Sequence, residues 1–329
     1  MNLNEVSEHI AQIEAQVRRA LIGQDEVLNG VLVAILAGGH VLLEGVPGVG
    51  KTLLVKALGR VLGCDPSRVQ FTPDLMPSDV TGASFFNERE ASFIFQKGPI
   101  FAQMLLADEI NRAPAKTQSA MLEAMAEGAV TVEGQTHALP KPFFVLATQN
   151  PLESAGTYPL PEAQLDRFLF KLVIEHPSRA VEEQLLRSVR DGFDARNLDT
   201  AGITRVSSAE TILAMQAAID TVRVDDAIIG YIAQITEQSR RNRAVLVGAS
   251  PRASIALLRC ARVQAVISGR DFVTPDDVKT HCASILRHRL ILQPDAEMNG
   301  VSPDDVVRAV LNEAQVPGMT DEAPVEARA

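Results

Sequence analysis

The 329-residue sequence has no tryptophan, two tyrosines and three cysteines. Aromatic platforms that stack on single-stranded bases are therefore scarce, and the twelve phenylalanines are the reserve. Cys64, Cys260 and Cys282 are odd in number and form no CxxC pair, which argues against a disulfide framework and for a reducing compartment. Basic residues are the minority: 31 Lys and Arg against 41 Asp and Glu leave a net charge of -10. That balance weighs against a nucleic-acid binder, although a basic groove can sit within an acidic total. The opening MNLNEVSEHIAQ has no apolar block, and the longest apolar stretch, Val31 to Leu43, is interrupted by Gly38, Gly39 and His40. No secretion leader and no bilayer span are expected, so the chain reads as cytoplasmic, with no membrane insertion. Internal repeats, low-complexity tracts and the N/T-K-x-D segment of small GTPases are also missing. With 46% hydrophobic and 22% charged residues, the composition is that of a globular chain of about two domains.

Apolar residues at Val6, Ile10, Ile13, Val17 and Leu21 have helical spacing, and a second helix is predicted from Asp25 to about Leu36. Gly38-Gly39 ends it, His40 to Glu44 reads as a short buried strand, and a helix runs from Lys51 to near Gly63. Strand-like runs follow at 68–71, 104–107, 143–147 and 168–174. This alternation predicts an α/β fold with a mostly parallel sheet covered on both faces. Ala83 to Ile100 and Ala129 to Leu139 interrupt it and read as β-hairpins. Their charged turns, Glu88, Arg89, Glu90 and Glu133, are expected at the surface. After His176-Pro177 the segments 180–190, 208–222, 225–242, 251–268, 275–289 and 303–314 are helical in pattern. Ser207, Ser250, Thr274 and Ser302 are their predicted N-caps, with Pro251, Pro275 and Pro303 at first helical positions. The expected division is an α/β domain over 1–177 and a helical domain over 178–329, with the polar tail after Pro317 frayed.

Gly45-Val-Pro-Gly-Val-Gly-Lys-Thr52 fits G-x-x-x-x-G-K-[ST] between a predicted strand and a predicted helix. Gly45, Val46, Pro47, Gly48, Val49 and Gly50, with Leu53 just beyond, supply a loop whose N–H groups can surround phosphate oxygens. Lys51 would reach the β- and γ-phosphates, Thr52 would place its hydroxyl on Mg²⁺, and the helix adds its positive end. The run Met104-Leu-Leu-Ala107 ends in Asp108-Glu109, as a buried strand would deliver carboxylates at its carboxyl end. Asp108 is the candidate to hold Mg²⁺ through water, and Glu109 the one to orient or deprotonate an attacking water. Without a guanine-reading segment, ATP is the expected nucleotide. His281-Cys282 is not spaced as a metal site, and Arg240, Arg241 and Arg243 read as a solvated helix end.

Beyond these motifs, Leu105-Leu-Ala-Asp-Glu-Ile-Asn-Arg-Ala-Pro114, Ala147-Thr-Gln-Asn-Pro151 and Gly156-Thr-Tyr-Pro-Leu-Pro-Glu-Ala-Gln-Leu-Asp-Arg-Phe168 closely resemble the MoxR family of AAA+ ATPases. The resemblance runs from Ile22-Gly-Gln24 into the helical half. It implies an AAA+ P-loop NTPase domain carrying the two hairpins as insertions, a small all-α lid, and ATP bound between subunits of a homo-oligomeric, typically hexameric ring. Asn150 matches the first sensor, a neutral amide beside the γ-phosphate, or else a turn-forming residue before Pro151. Arg167 matches an arginine finger acting on the neighbouring subunit's ATP, or else pairs internally with Asp166 or Glu162. Arg252, at the start of a lid helix, matches the second sensor. Arg112 contacts the neighbouring subunit or fixes the loop after Glu109. Ile22, Gly23 and Gln24 lie beside the adenine, with Gln24 either part of that site or only a helix cap.

Three activities compete on this reading. Family resemblance implies ATP-driven remodelling or maturation of other proteins, including metal or cofactor insertion, with partners that contain von Willebrand A domains. A nucleic-acid motor and a metal-chelatase motor subunit are the alternatives; the acidic total counts against the former.

Overall fold

The computed structural model describes residues 1–46, 48–64, 66–89, 91–151 and 157–317. The chain divides into two compact units, Met1–Thr221 and Val222–Ala329. In the first, α1 (Leu3–Val17) begins at Asn2, whose side chain accepts the Glu5 N–H while Glu5 accepts that of Asn2, both at 2.9 Å. Its stripe of Val6, Ile10, Ile13 and Val17 is buried, as the spacing predicts. There follow α2 (Asp25–Leu36), β1 (Val41–Gly45), α3 (Lys51–Leu62), β2 (Pro66–Gln70), α4 (Pro77–Thr81), β3 (Gly82–Asn87), β4 (Ser92–Lys97) and β5 (Met104–Asp108). The unit continues with α5 (Ala115–Glu127), β6 (Ala129–Val132), β7 (Gln135–Ala138), β8 (Phe144–Gln149), α6 (Glu162–Leu165), β9 (Phe170–Ile174), α7 (Arg179–Arg190) and α8 (Ala209–Ile219).

Five strands form one parallel sheet in the order β2-β5-β8-β1-β9. Residues 41–43, 104–107 and 144–148 are buried throughout, because helices cover both faces of the central strands. The sheet ends at Ile174, close to the boundary expected at Pro177, but the next helices stay with the first unit. The reason is that α8 carries a second apolar stripe, Ile212, Met215 and Ile219, which packs beside α1 and α2. Gln216 Nε2 also donates to the Ile35 carbonyl at 2.7 Å.

Both hairpins form as antiparallel pairs, β3 with β4 and β6 with β7. Glu133 and Gly134 make the second turn with φ of 50° and 80°, the left-handed pair that matches strand twist. Glu88, Arg89 and Glu133 are exposed as expected; Glu90 lies outside the described residues. The hairpins touch through Phe95, which stacks on His137 at 4.2 Å.

The second unit contains α9 (Asp226–Arg241), β10 (Val245–Val247), α10 (Pro251–Ile267), α11 (Pro275–Thr280), α12 (Cys282–Leu286), β11 (Ile291–Leu292), α13 (Pro294–Met298) and α14 (Pro303–Glu313). Helices dominate, but β10 and β11 add a short antiparallel ladder. The helix predicted over 275–289 breaks at His281, whose buried ring meets Gln264 Oε1 at 3.0 Å. Ser250 and Ser302 cap α10 and α14, and the Asp277 carboxylate accepts from Thr274 and, at 2.6 Å twice, from Arg270. In the first unit Ser208, not Ser207, caps α8: its hydroxyl accepts the Thr211 N–H at 3.2 Å, while Ser207 is buried one residue earlier with its N–H on the Val61 carbonyl. Arg240 is no merely solvated cation: its Nε donates to the Ala249 carbonyl at 2.8 Å. The tail beyond Pro317 lies outside the described residues.

His40 links the layers of the first unit. Its Nδ1 accepts the Val145 N–H at 3.1 Å, which leaves the proton on Nε2, 3.2 Å from the Met125 carbonyl. Burial pushes its pKa down from 6.5 to about 4, against the opposing Met125 contact. Burial takes His281 to about 4 as well, against the opposing charge of Asp277. Both folded values lie below the unfolded one, so the unfolded chain takes up protons first as the pH falls. Stability is then full above pH 6.5 and declines toward pH 4, by at most about 3 kcal/mol per histidine. Urea unfolding should show a lower midpoint at pH 5 than at pH 7; equal midpoints would mean that these imidazoles titrate alike in both states.

Candidate active site

Because the sheet is parallel and β8 separates β1 from β5, three strands release their chains at one rim. The segments leaving them enclose a cleft of about 210 Å³ lined by Gly48, Gly50, Lys51, Thr52, Asp108, Glu109, Thr148 and Asn150. Gly45 must lack a side chain, since a Cβ there would approach the Ile174 carbonyl to 2.7 Å. Gly50 holds φ 85° as the residue before α3, which opens the loop without the cost a side chain would add. Val46, Val49 and Leu53 belong to this turn and helix start; Pro47 lies outside the described residues.

Lys51 Nζ donates to the Gly45 carbonyl at 2.6 Å. Its pKa is lowered by burial, while Asp108, Glu109 and Glu44 act in the opposite sense and favour the charged form. The Gln24 side chain does not cap α2; its Nε2 donates to the Val49 carbonyl, tying the start of that helix to the loop. Gln24 Oε1 is buried there with no donor among the described residues. Gly23, one residue earlier, lies against Val181 of α7.

Thr148 organises the two carboxylates. Its hydroxyl donates to Asp108 Oδ1 at 2.6 Å and accepts the Glu109 N–H at 2.8 Å. Arg68 Nη2 reaches Asp108 Oδ2 at 2.7 Å. Gln70 Nε2 and Arg112 Nη1 both donate to Glu109 Oε2, at 2.8 and 2.9 Å. Arg112 therefore does fix the segment after β5. The clamp engages one carboxylate oxygen of Glu109, and among the described residues Oε1 accepts no hydrogen bond. Thr148, Arg68 and Gln70 escaped sequence reasoning. The alternation of Arg68 and Gln70 on one strand face was visible, but not that β2 pairs with β5. Asn150 is buried at the cleft.

Arg167 is not at this rim. It precedes β9, whose Phe170 is in register with Val41, the first residue of β1, whereas the phosphate-loop motif leaves β1 at Gly45. The intervening strand length is about 13 Å. Arg167 Nη1 donates to the Leu122 carbonyl at 2.5 Å. Arg252, the second residue of α10, belongs to the second unit, and its N–H donates to Ser250 Oγ at 3.2 Å. Among the described residues no three His, Cys, Asp or Glu side chains cluster as a metal site. Thr52 and Asp108 in the cleft suit a Mg²⁺ whose shell is completed by phosphate oxygens and water. Also among the described residues, no helix is long and apolar enough to cross a membrane.

A glycine loop opening a helix, a lysine at its first turn and two carboxylates at the end of the next strand but one define a P-loop ATPase site. Comparison agrees: residues 40–170 match the ATPase family associated with various cellular activities (AAA), and residues 237–310 match the AAA lid domain. The chain is 46% identical to the uncharacterized protein YeaC of Bacillus subtilis, over 92% of each chain. It is 42% identical to the chaperone MoxR1 of Mycobacterium tuberculosis, over 92% of this chain and 81% of that one. The crystal structure of a candidate ATPase from Cytophaga hutchinsonii superposes with a TM-score of 0.87 at 38% identity, covering 95% of this chain and 96% of that one. The chain belongs to the MoxR family of AAA+ ATPases and is an ATP-hydrolysing enzyme.

Thr148→Val keeps the side-chain shape and strands the bond to Asp108 and the Glu109 N–H. A lost hydrogen bond to a charged group costs about 1.5–3 kcal/mol, so turnover should fall roughly 10–100-fold. Nucleotide binding, measured separately, should change little. Unaltered turnover would remove Thr148 from the site.

Proposed function

We propose that this ATPase remodels partner proteins, working in the cytoplasm as a homo-oligomeric, typically hexameric ring. The observation that carries this reading is the hairpin β3–β4, on which Phe85, Phe86 and Phe93 are 58%, 55% and 71% exposed. Apolar surface concentrated on one hairpin suits contact with proteins. On a chain of net charge -10 it suits nucleic acid less well. Family resemblance adds partners with von Willebrand A domains, and the name of the mycobacterial relative adds chaperone work.

At the nucleotide, Lys51 exchanges the Gly45 carbonyl for β- and γ-phosphate oxygens, and the Gly45–Thr52 loop surrounds them with N–H groups. The buried Gln24 Oε1 offers an acceptor to the adenine amino group. Thr52 and Asp108 would hold Mg²⁺, which when bound would neutralise charge on the phosphoryl oxygens. Glu109 takes a proton from water at Oε1 while Gln70 and Arg112 keep its other oxygen in place. Asn150 orients that water. Arg167, at the opposite end of the sheet from its own loop, serves the neighbouring subunit's ATP. Arg252 couples the lid to the bound nucleotide.

Lys51→Ala should lose nucleotide binding, and Glu109→Gln should bind ATP without turning it over. Equilibrium binding and phosphate release separate the two. An arginine in trans contributes about 10³–10⁵ in rate, so specific activity should rise with protein concentration. Mixing Arg167→Ala with Lys51→Ala subunits should restore part of it, because one kind of junction is then intact. Activity that stays flat on dilution to monomers would exclude the shared site.

The partner-facing role has its own test. In the ATP-trapping Glu109→Gln background, changing Phe85, Phe86 and Phe93 to Ser should leave ATP binding and assembly intact and release co-purifying proteins. Retained partners, or ATPase activity stimulated by DNA, would overturn the reading.

A further inference from the structure

We propose that a second cleft in the first unit binds a small anion carrying two or more phosphoryl groups. This cleft has a volume of about 490 Å³, more than twice that of the nucleotide cleft, and lies at the other end of α3. Lys56, Arg60, Arg196 and Arg205 line it together with Gly63 and Asn197. Among its described lining residues there are four cations and no carboxylate. Such a concentration runs against the charge of a chain in which acids outnumber bases 41 to 31.

The arrangement is built. Lys56 and Arg60 stand four residues apart on α3, so the helix tolerates two like charges on one face. The Arg205 guanidinium lies on Gly63, which has φ 64°, so closely that a Cβ there would be 2.6 Å from Cζ. Arg205 Nε donates to the Ser207 carbonyl at 2.9 Å, and its terminal nitrogens make no hydrogen bond among the described residues. Of the acids nearby, two face the cleft's own cations and one is held by backbone. Asp199 pairs with Arg60 at 2.5 Å, Asp194 Oδ1 accepts the backbone N–H of Arg196, and Glu210 feels the charge of Arg205 from the start of α8. The side chains of Lys56 and Arg196 take no protein acceptor among the described residues.

Guanidinium forks match phosphate oxygens two at a time, and several converging cations select a multiply charged ligand over a single carboxylate. The volume is that of a small-molecule site, and one concavity rather than a basic stripe argues against a nucleic-acid track. Lys51 and Arg60 are nine residues apart on one helix, or about 14 Å, so the two clefts are separate. A ligand in the second bears on the same rigid helix that opens the first.

Inorganic pyrophosphate is the probe, titrated calorimetrically at fixed ionic strength into the full chain carrying Lys51→Ala, which disables the phosphate loop. Saturable binding should persist in that variant. Adding Lys56→Ala and Arg196→Ala should weaken it about tenfold or more, while Arg196→Lys should recover part of the affinity. Both residues are exposed, so with Lys51 intact the same pair of changes should leave basal ATPase activity unchanged. No binding to the Lys51→Ala chain, or equal binding after Lys56 and Arg196 are removed, would overturn the proposal.

Discussion

The parallel register of β1, β5 and β8 is the constraint on which the site depends. Leu42 lies beside Ala147, and Ala147 beside Ala107, so the three strands stay in step along their buried length. Helices cover both faces, and an unpaired charge within those strands would cost several kcal/mol. Polar chemistry can therefore emerge only where the strands end. Gly45, Asp108 and Gln149 end at the same rim, and the phosphate loop, the carboxylates and Asn150 meet there because the core leaves them no other place.

That logic explains which parts could be read from the chain alone. The phosphate loop is local: glycines, a lysine and a threonine within eight residues, between an apolar run and a helical pattern. Asp108-Glu109 is local too, as four buried residues followed by two acids. The hairpin turn at Glu133-Gly134 and the caps Ser250 and Ser302 follow short-range chemistry in the same way. The α8 helix was legible as a helix, but its apolar stripe does not say which core receives it, so the boundary near Pro177 marked the end of the sheet and not that of the unit. Likewise the short β10–β11 ladder joins residues 47 apart in the chain, Val245 and Leu292, and no local pattern announces it.

Strand order was the information missing at the site itself. Nothing in residues 66–70 says that this edge strand lies beside β5, yet that pairing gives Arg68 and Gln70 their roles. They stand two residues apart, so both project from one face, and each meets one of two successive carboxylates. An edge strand with basic and amide side chains would otherwise read as ordinary protection against pairing with another sheet. Here the same side chains hold the two acids, and the arginine offsets the repulsion between carboxylates that share a cleft.

Neighbouring residues of a regular strand point to opposite faces, so Asp108 and Glu109 could not both face the cleft if β5 simply continued. The chain turns at Glu109, which adopts φ 56° and ψ 50°, a left-handed conformation that costs a residue with a side chain about 1–2 kcal/mol. Two backbone bonds offset that strain. Thr148 accepts the Glu109 N–H at 2.8 Å, and the Glu109 carbonyl accepts the Arg112 N–H at 2.9 Å in the tight turn that follows. A single hydroxyl on β8 thus fixes Asp108 through its proton and the backbone of Glu109 through its lone pair. Both carboxylates face one cleft because a threonine on the next strand lets the chain leave β5 by a turn that it would otherwise avoid.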